Sequence, residues 1–299
     1  MATGLRDTWL LLAPLPALAL GLLVATGHGV PWAAFLPSFL AVALGVLSVV
    51  LFARGGPGIR EGAARALPVL VFLGIAATLL SPGVEGVRRW LALGPIRLNM
   101  SAALVPWLAL GVAASNPGVR SLPLVLVGAT QLVHLAQPDA AQATALAVGA
   151  LPVLTGGALV NRRIGVPVAA VLLAMAAATW FRPDPLQPLD HVERILVLTA
   201  SRGAPWLLGA ALAGGVLLAP FALAMRRRHS VESQVGAGLA LYLCTSVMAT
   251  FFGNFPVPVF GAGAGPILGW YAMMSVLAAS RGSRAATRWP SGPRRLTRH

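Results

Sequence analysis

Charge of either sign is scarce in this sequence, and lysine is absent altogether. Only 10% of the 299 residues are charged, whereas soluble domains carry about 25%. All 22 basic side chains are arginines, against eight acids, which gives a net charge of +14. With 57% hydrophobic residues and a mean hydropathy of +0.80, the chain cannot form an ordinary soluble domain, and we expect it to lie in a lipid bilayer.

Other absences exclude whole classes of site. Cys244 is the only cysteine, so no disulfide can form within the chain. No P-loop, G-x-S-x-G or H-E-x-x-H pattern occurs, which argues against the common nucleotide, serine-hydrolase and zinc-protease sites. His134 has no second metal-ligating side chain nearby in sequence, so no metal site is predicted. The arginines lie in short loops and form no basic face, so nucleic-acid binding is not expected either.

Hydropathy predicts an all-α polytopic membrane protein with ten transmembrane helices. We take residues 1–280 as one ten-helix domain and residues 281–299 as a basic, disordered cytoplasmic tail held near anionic headgroups. Only Arg6 precedes the first span and no clean cleavage site follows it, so that span is expected to be a retained anchor. The predicted spans are Trp9–Gly27, Trp32–Ala53, Ala64–Leu80, Leu98–Ala114, Leu122–Leu135, Ala140–Val160, Ile164–Trp180, Ile195–Met225, Val235–Phe252 and Val257–Ala279.

The arginines predict the orientation of these spans. With both ends inside, 16 arginines fall on the cytoplasmic side and 6 on the outer side. This split fits the positive-inside rule and supports an even number of spans with both ends inside. Five of the eight acids fall outside instead. Acids contribute little to topology, so their concentration there indicates a polar, functional outer surface.

The outer loop from Ser81 to Arg97 is unusually rich in arginine. Arg88 and Arg89 stand directly before Trp90, and a guanidinium pair can hold phosphate or pyrophosphate through bidentate hydrogen bonds. The alternative is an interfacial helix in which the arginines extend to headgroups and Trp90 anchors the segment. Both interpretations remain open at this stage.

Two further outer segments carry acids. Asp139, in Gln137-Pro138-Asp139, precedes a long apolar helix and has Gln142 three residues later, which is a capping-box pattern. The segment from Phe181 to Gly203 holds Asp190, Glu193 and Arg194, which could supply a general base and a charge clamp. The alternative for that segment is a solvated connector.

The stretch from Phe255 to Pro266 contains Pro256, Pro258 and three alternating glycines, which cannot form a regular helix. Irregular backbone at membrane depth is tolerated only where it is buried or lines a cavity. We therefore predict a broken helix beside a cavity at the start of the tenth span.

These motifs together resemble the shape, elongation, division and sporulation (SEDS) family, whose members include FtsW and RodA. Over residues 9–280, the family's R-R-W-[IL]-x-L-G signature resembles Arg88-Arg89-Trp90-Leu91-Ala92-Leu93-Gly94. Its Q-P-D resembles Gln137-Pro138-Asp139, and its P-x-P followed by glycines resembles Pro256-Val257-Pro258 and Gly261–Gly265. The resemblance implies ten spans with both ends inside, in a bacterial inner membrane.

By the same resemblance, the chain would act in peptidoglycan synthesis during cell division or elongation. It would bind lipid II or a similar polyprenyl-pyrophosphate sugar and polymerise it as a glycosyltransferase beside a class B penicillin-binding protein. The family's essential aspartate corresponds by position to Asp190 or Glu193, and the choice between them stays open. The substrate-binding candidates are Arg88, Arg89, Trp90, Asp139, Arg194 and Ser101. A divalent cation such as Mg²⁺ is the candidate cofactor.

The sequence also departs from the family pattern. Where the family has Q-P-S-E-x-x-K, Asn99–Val105 keeps Ser101 but lacks the acid and the lysine, and the hydroxyls after the last P-x-P are gone. These losses favour an alternative function as a catalytically degenerate scaffold or lipid-carrier-binding relative. A small-solute transporter is a third alternative, because broken helices beside cavities occur in transporters too.

Overall fold

The computed structural model describes residues 8–94, 96–114, 121–226 and 230–282, and these are mostly helical. The predicted tail lies outside the described residues from residue 283 onward. One antiparallel hairpin pairs β1 (Trp90–Leu93) with β2 (Ile96–Asn99). The α-helices are α1 (Pro14–Thr26), α2 (Leu36–Arg54), α3 (Pro57–Ala77), α4 (Met100–Leu104), α5 (Leu108–Ala114), α6 (Ser121–Ala136), α7 (Ala140–Thr155), α8 (Arg162–Thr179), α9 (Ile195–Ser201), α10 (Ala204–Met225), α11 (Val231–Ala249) and α12 (Ala264–Gly282).

Each predicted span corresponds to one helix or to consecutive helices, and the all-α polytopic prediction is confirmed. The fourth span consists of α4, a 3-10 turn that contains Pro106, and α5. The eighth is divided at Gly203, whose φ of 98° ends α9 before α10 begins. Proline removes a backbone donor and glycine adopts positive φ at little cost, so both interruptions follow from the sequence.

Two predicted boundaries are wrong by about two turns. The third helix begins at Pro57 rather than Ala64, because a proline in the first helical turn gives up no intrahelical hydrogen bond. The tenth begins at Ala264 rather than Val257, because the chain turns at 258–262 before it becomes helical.

Five helical segments in the described residues are long and apolar enough to cross a membrane. They are Trp9–Thr26, Trp32–Arg54, Glu61–Leu80, Arg162–Thr179 and Ala204–Met225. Shorter apolar helices accompany them. Large apolar side chains point away from the bundle, among them Leu47, Leu70 and Leu212. In lipid such exposure costs nothing, because the surrounding acyl chains are as apolar as leucine.

Glycines allow the helices to approach closely inside the bundle. Gly149 of α7 and Gly238 of α11 face each other, and a Cβ on either would press on the opposite backbone. Gly45 of α2 makes room for the ring of Tyr271 on α12 in the same way. Small residues at such crossings are the usual means of packing helices in membranes. Helix α12 packs against several other helices at the centre of the bundle, where Trp270 and Tyr271 are fully buried.

Candidate functional site

Two outer segments that are distant in sequence meet through their backbones. We call residues 181–194 the acidic segment and residues 255–263 the proline–glycine segment. Val257 N donates to Val192 O at 3.1 Å, and Ala262 N donates to His191 O at 2.9 Å. Gly261 fits against Val192 because it has no Cβ. The broken entry to α12 therefore fixes the backbone beside Glu193.

A cleft of about 380 Å³ opens where these segments meet the hairpin. It is lined by the hairpin and the residues before it, by the acidic segment, and by the start of α12. The lining residues include Glu85, Trp90, Arg97, Asn99, Leu186, Gln187, Glu193, Pro256, Gly263 and Pro266. The predicted cavity beside the broken helix is thus present, and it contains groups of both charges.

Glu193 is the better placed of the two candidate bases, because it lines this cleft. Its carboxylate accepts a hydrogen bond from Leu189 N at 2.8 Å, which fixes the side chain. Burial raises the pKa of Glu193 to about 7, and the hydrogen bond from Leu189 and the charge of Arg89 only partly oppose that effect. A carboxylate with a pKa near the working pH is suited to general-base chemistry.

Asp190 and Arg194 are placed differently. Both are exposed, and neither is among the residues that line the cleft. Arg194 is instead the residue before α9. His191 is half-buried, and burial lowers its pKa. The geometry therefore distinguishes two acids that the sequence left equivalent.

Arg97 and Trp90 face the cleft from the hairpin. Trp90 pairs with Asn99 across the two strands, and Arg97 pairs with Ala92. Both Trp90 and Arg97 line the cleft, and Arg97 is exposed enough to meet an anion. Sequence reasoning counted Arg97 among the loop arginines but did not single it out. The sequence interpretation allowed an interfacial helix at this position, whereas the observed structure is a hairpin. The prediction of a strand would have placed Arg97 at the cleft.

Arg89 lies outside the cleft lining, in the most buried ionic cluster of the described residues. Its side chain is 1% exposed. Nη2 donates to Asp184 Oδ2 at 2.6 Å and to Pro138 O, and Nε lies 4.0 Å from Asp139 Oδ2. The guanidinium also stacks over the ring of Phe255 at 5.0 Å. Arg89 therefore joins the hairpin to three other outer segments.

The sequence did not identify Asp184 as the partner of Arg89, because Asp184 was recognised there only as one of several acids on the outer side. Asp139 was identified as a cap, and it is one: Oδ1 accepts from Gln142 N at 3.2 Å. Burial raises the pKa of Asp139, and Arg89 opposes this effect. The second half of the capping box is wrong, because Gln142 Oε1 accepts from Tyr242 Oη at 2.5 Å instead of reaching back.

The remaining candidates lie away from the cleft. Arg88 is exposed and donates to Leu79 O at 2.8 Å. Ser101 is fully buried, where its Oγ lies 3.1 Å from His134 Nε2 and 3.5 Å from Gln137 Oε1. Gln131 and His134 thus hydrogen-bond within the bundle, as polar side chains between membrane helices commonly do.

The described residues contain no cluster of three or more His, Cys, Asp or Glu side chains that could hold a metal ion. Mg²⁺ is commonly bound through one or two carboxylates together with substrate phosphates. Glu85 lines the cleft in addition to Glu193, so one carboxylate besides the candidate base would suit a cation that arrives with substrate phosphates.

No protein-family model matches the chain. It is similar to the peptidoglycan glycosyltransferase MrdB of Escherichia coli strain K12 and to that of Shigella flexneri. Each is 29% identical over 197 residues, which are 56% of this chain and 53% of the relative. The chain thus matches about half the length of these relatives.

Solved structures share the fold over nearly the whole chain. The rod shape determining protein RodA of Thermus thermophilus gives a TM-score of 0.70 at 22% identity, covering 94% of this chain and 98% of that one. A chain from a peptidoglycan synthase complex gives a TM-score of 0.68 at 22% identity, covering 93% and 98%.

The chain therefore has the fold of RodA over nearly its whole length and is similar in sequence to MrdB over about half of it. Together with its apolar helices, these similarities indicate a polytopic bacterial membrane protein. The chain departs from the signature that it resembles, since Ala102 occupies the position of the signature's acid and is buried against the bundle.

The buried cluster predicts that two adjacent arginines differ in importance. Arg89→Gln leaves Asp139 and Asp184 without their cation, so we expect it to lower the free energy of unfolding by about 3 kcal/mol or more. Arg88→Gln changes an exposed side chain and should cost within about 0.5 kcal/mol. Unfolding in mixed micelles, followed by circular dichroism, measures both.

A second variant tests whether the unpaired acids cause the loss of stability. Adding Asp184→Asn to Arg89→Gln removes one of the uncompensated acids, so the double variant should recover part of the loss. Equal stabilities for Arg89→Gln and Arg88→Gln would contradict the assignment of Arg89 as the buried link.

Proposed function

We propose that this protein binds a polyprenyl-pyrophosphate-linked sugar, such as lipid II, in the outer cleft and polymerises it as a peptidoglycan glycosyltransferase. It would do so in the bacterial inner membrane, as a single membrane domain over residues 1–280. The observation that carries the proposal is the position of Glu193, a carboxylate of raised pKa, in one cleft with Arg97 and Trp90. The peptidoglycan glycosyltransferases among its relatives support it.

In this mechanism the Glu193 carboxylate removes a proton from the acceptor sugar hydroxyl. The hydroxyl oxygen then attacks the anomeric carbon of the lipid-linked chain and forms the new glycosidic bond. The bond from that carbon to the pyrophosphate breaks, and the pyrophosphate leaves with the electron pair. Glu193 holds the proton until it passes to solvent. Glu85 would hold a divalent cation together with the substrate phosphates, and such a cation would supply positive charge near the leaving pyrophosphate.

Arg97 is the cleft residue best placed to stabilise the departing pyrophosphate, because it lines the cleft and is exposed to it. Trp90 offers a flat apolar face for a sugar ring or for the lipid. Arg89 and Asp139 would act beneath the surface as positioning residues. Arg88, Arg194 and Ser101 lie outside the cleft lining. The expectation from the sequence that they contact the substrate stays a prediction.

A class B penicillin-binding protein is the proposed partner. The support is indirect: a chain of the same fold comes from a peptidoglycan synthase complex. Such a partner would cross-link the glycan strands that this protein makes, in either division or elongation.

One observation favours a second candidate, a non-catalytic scaffold or lipid-carrier binder. The wall of the cleft at Ala262, Gly263 and Ala264 carries no hydroxyl. Such a protein would bind lipid II without consuming it. The two functions separate when binding and turnover are measured on the same preparation.

Substitution of the two acids tests the base assignment. Glu193→Gln keeps the shape but removes the base, so we expect glycan polymerisation in proteoliposomes to fall by about 100-fold or more. Asp190→Asn changes an exposed side chain outside the cleft and should retain most activity. Lipid II binding should persist in both.

The opposite result, an inactive Asp190→Asn and an active Glu193→Gln, would reverse the assignment. A wild type that binds lipid II without polymerising it would favour the scaffold.

The pH profile tests the same group independently. Because burial raises the pKa of Glu193 to about 7, the protonated, inactive form accumulates below that pH. The rate of polymerisation should therefore rise as the pH rises through about 7 and reach a plateau above it. The residual rate of Glu193→Gln should lack this step. A wild-type rate that is flat between about pH 6 and 8 would contradict the mechanism.

A further inference from the structure

A second cavity lies at the opposite end of the bundle from the cleft. Helix α7 begins beside Asp139 in the outer cluster and runs for 16 residues, or about 24 Å, to Thr155. The loop that follows, residues 156–161, therefore reaches the other side of the membrane, which the arginine distribution predicts to be cytoplasmic. Between this loop, α6 and α8 lies an open groove of about 1160 Å³.

The walls of this groove are mostly apolar. Val125 and Gly128 of α6 face Ile164, Pro167 and Val171 of α8 along it. Val125, Ile164 and Val171 are more than half exposed. At the depth of a membrane such exposed side chains contact lipid rather than water. The groove therefore has the surface chemistry of a site for an acyl chain.

The cytoplasmic mouth of the groove is cationic. Arg162 lines the mouth, and its side chain passes close to Gly157, where an added Cβ would lie 3.3 Å from Arg162 Nε. No acid among the described residues forms an ion pair with Arg162. The amides at the N-terminus of α8, capped by Asn161, add to the positive potential. The charge thus complements a phosphate at headgroup level.

We propose that this groove is a binding site for an anionic phospholipid of the cytoplasmic leaflet. An acyl chain lies between α6 and α8, and the phosphate contacts Arg162. The occupant is a phospholipid because the site lies on the cytoplasmic side, where anionic headgroups attract arginine. The proposal is independent of the function proposed for the outer cleft.

Gly128 allows the groove to be filled without disturbing the fold. It lines the groove within α6, and an added Cβ would meet no atom within 4 Å. A leucine there projects into the acyl-chain site, while replacement of a helical glycine favours the helix. Gly214 of α10 is its matched control, because its Cβ position is equally open and lies outside the groove. Arg163 is the control for Arg162, since it is exposed beside it but does not line the groove.

Native mass spectrometry of the full chain in detergent measures the site. We expect one dioleoyl phosphatidylglycerol to bind more tightly than dioleoyl phosphatidylcholine, which has the same acyl chains. Arg162→Gln should weaken phosphatidylglycerol binding by about fivefold and remove the headgroup preference. Gly128→Leu should weaken both lipids by about tenfold. Arg163→Gln and Gly214→Leu should behave as wild type.

Three outcomes would overturn the proposal. One is equal binding of the two lipids to the wild type. Another is unchanged binding in a Gly128→Leu variant whose circular dichroism is native. The third is displacement of phosphatidylglycerol by undecaprenyl phosphate in the wild type but not in Gly128→Leu, which would assign the groove to the polyprenyl carrier.

Discussion

The outer half of this protein depends on a single buried guanidinium. Arg89 contacts Asp184, Pro138 and the ring of Phe255, and it lies near Asp139, so one side chain joins the hairpin to three other outer segments. A buried charge is costly unless it is paired, and removing either partner leaves the other uncompensated. The pairing therefore disfavours any arrangement in which these loops separate. The cleft is lined by three of the segments that Arg89 joins, namely the hairpin, the acidic segment and the proline–glycine segment.

That cleft combines a carboxylate that burial makes more basic with a cation and an aromatic ring. Glu193, Arg97 and Trp90 reach it from two different segments, and the backbone of a third segment closes it. A chain that lacks several polar positions of the pattern it resembles thus still places ionisable groups of both charges in one outer cleft. The arrangement also explains why the acids gather on the outer side, where they do little to set topology.

Hydropathy alone predicted the ten spans, because lipid requires long apolar helices. It misplaced the start of α3 and α12, where Pro57 and the turn after Pro258 decide the boundary locally. The cap at Asp139 was readable from residue spacing. The different placements of Glu193 and Asp190 could not be predicted. Their separation of three residues does not indicate which side chain faces a cleft formed by distant segments. The pairing of Arg89 with Asp184 crosses 95 positions and has no local signal.

The central claim, that the hairpin region and the acidic segment share one cleft, is tested most directly by cross-linking. Glu85 and Gln187 line the cleft from these two segments and are both exposed. In a Cys244→Ser background, the pair Glu85→Cys and Gln187→Cys should be joined by a short bifunctional maleimide and detected as a linked peptide by mass spectrometry. The pair Glu85→Cys and Asn161→Cys should not be linked. Linkage of the second pair without the first would contradict the account.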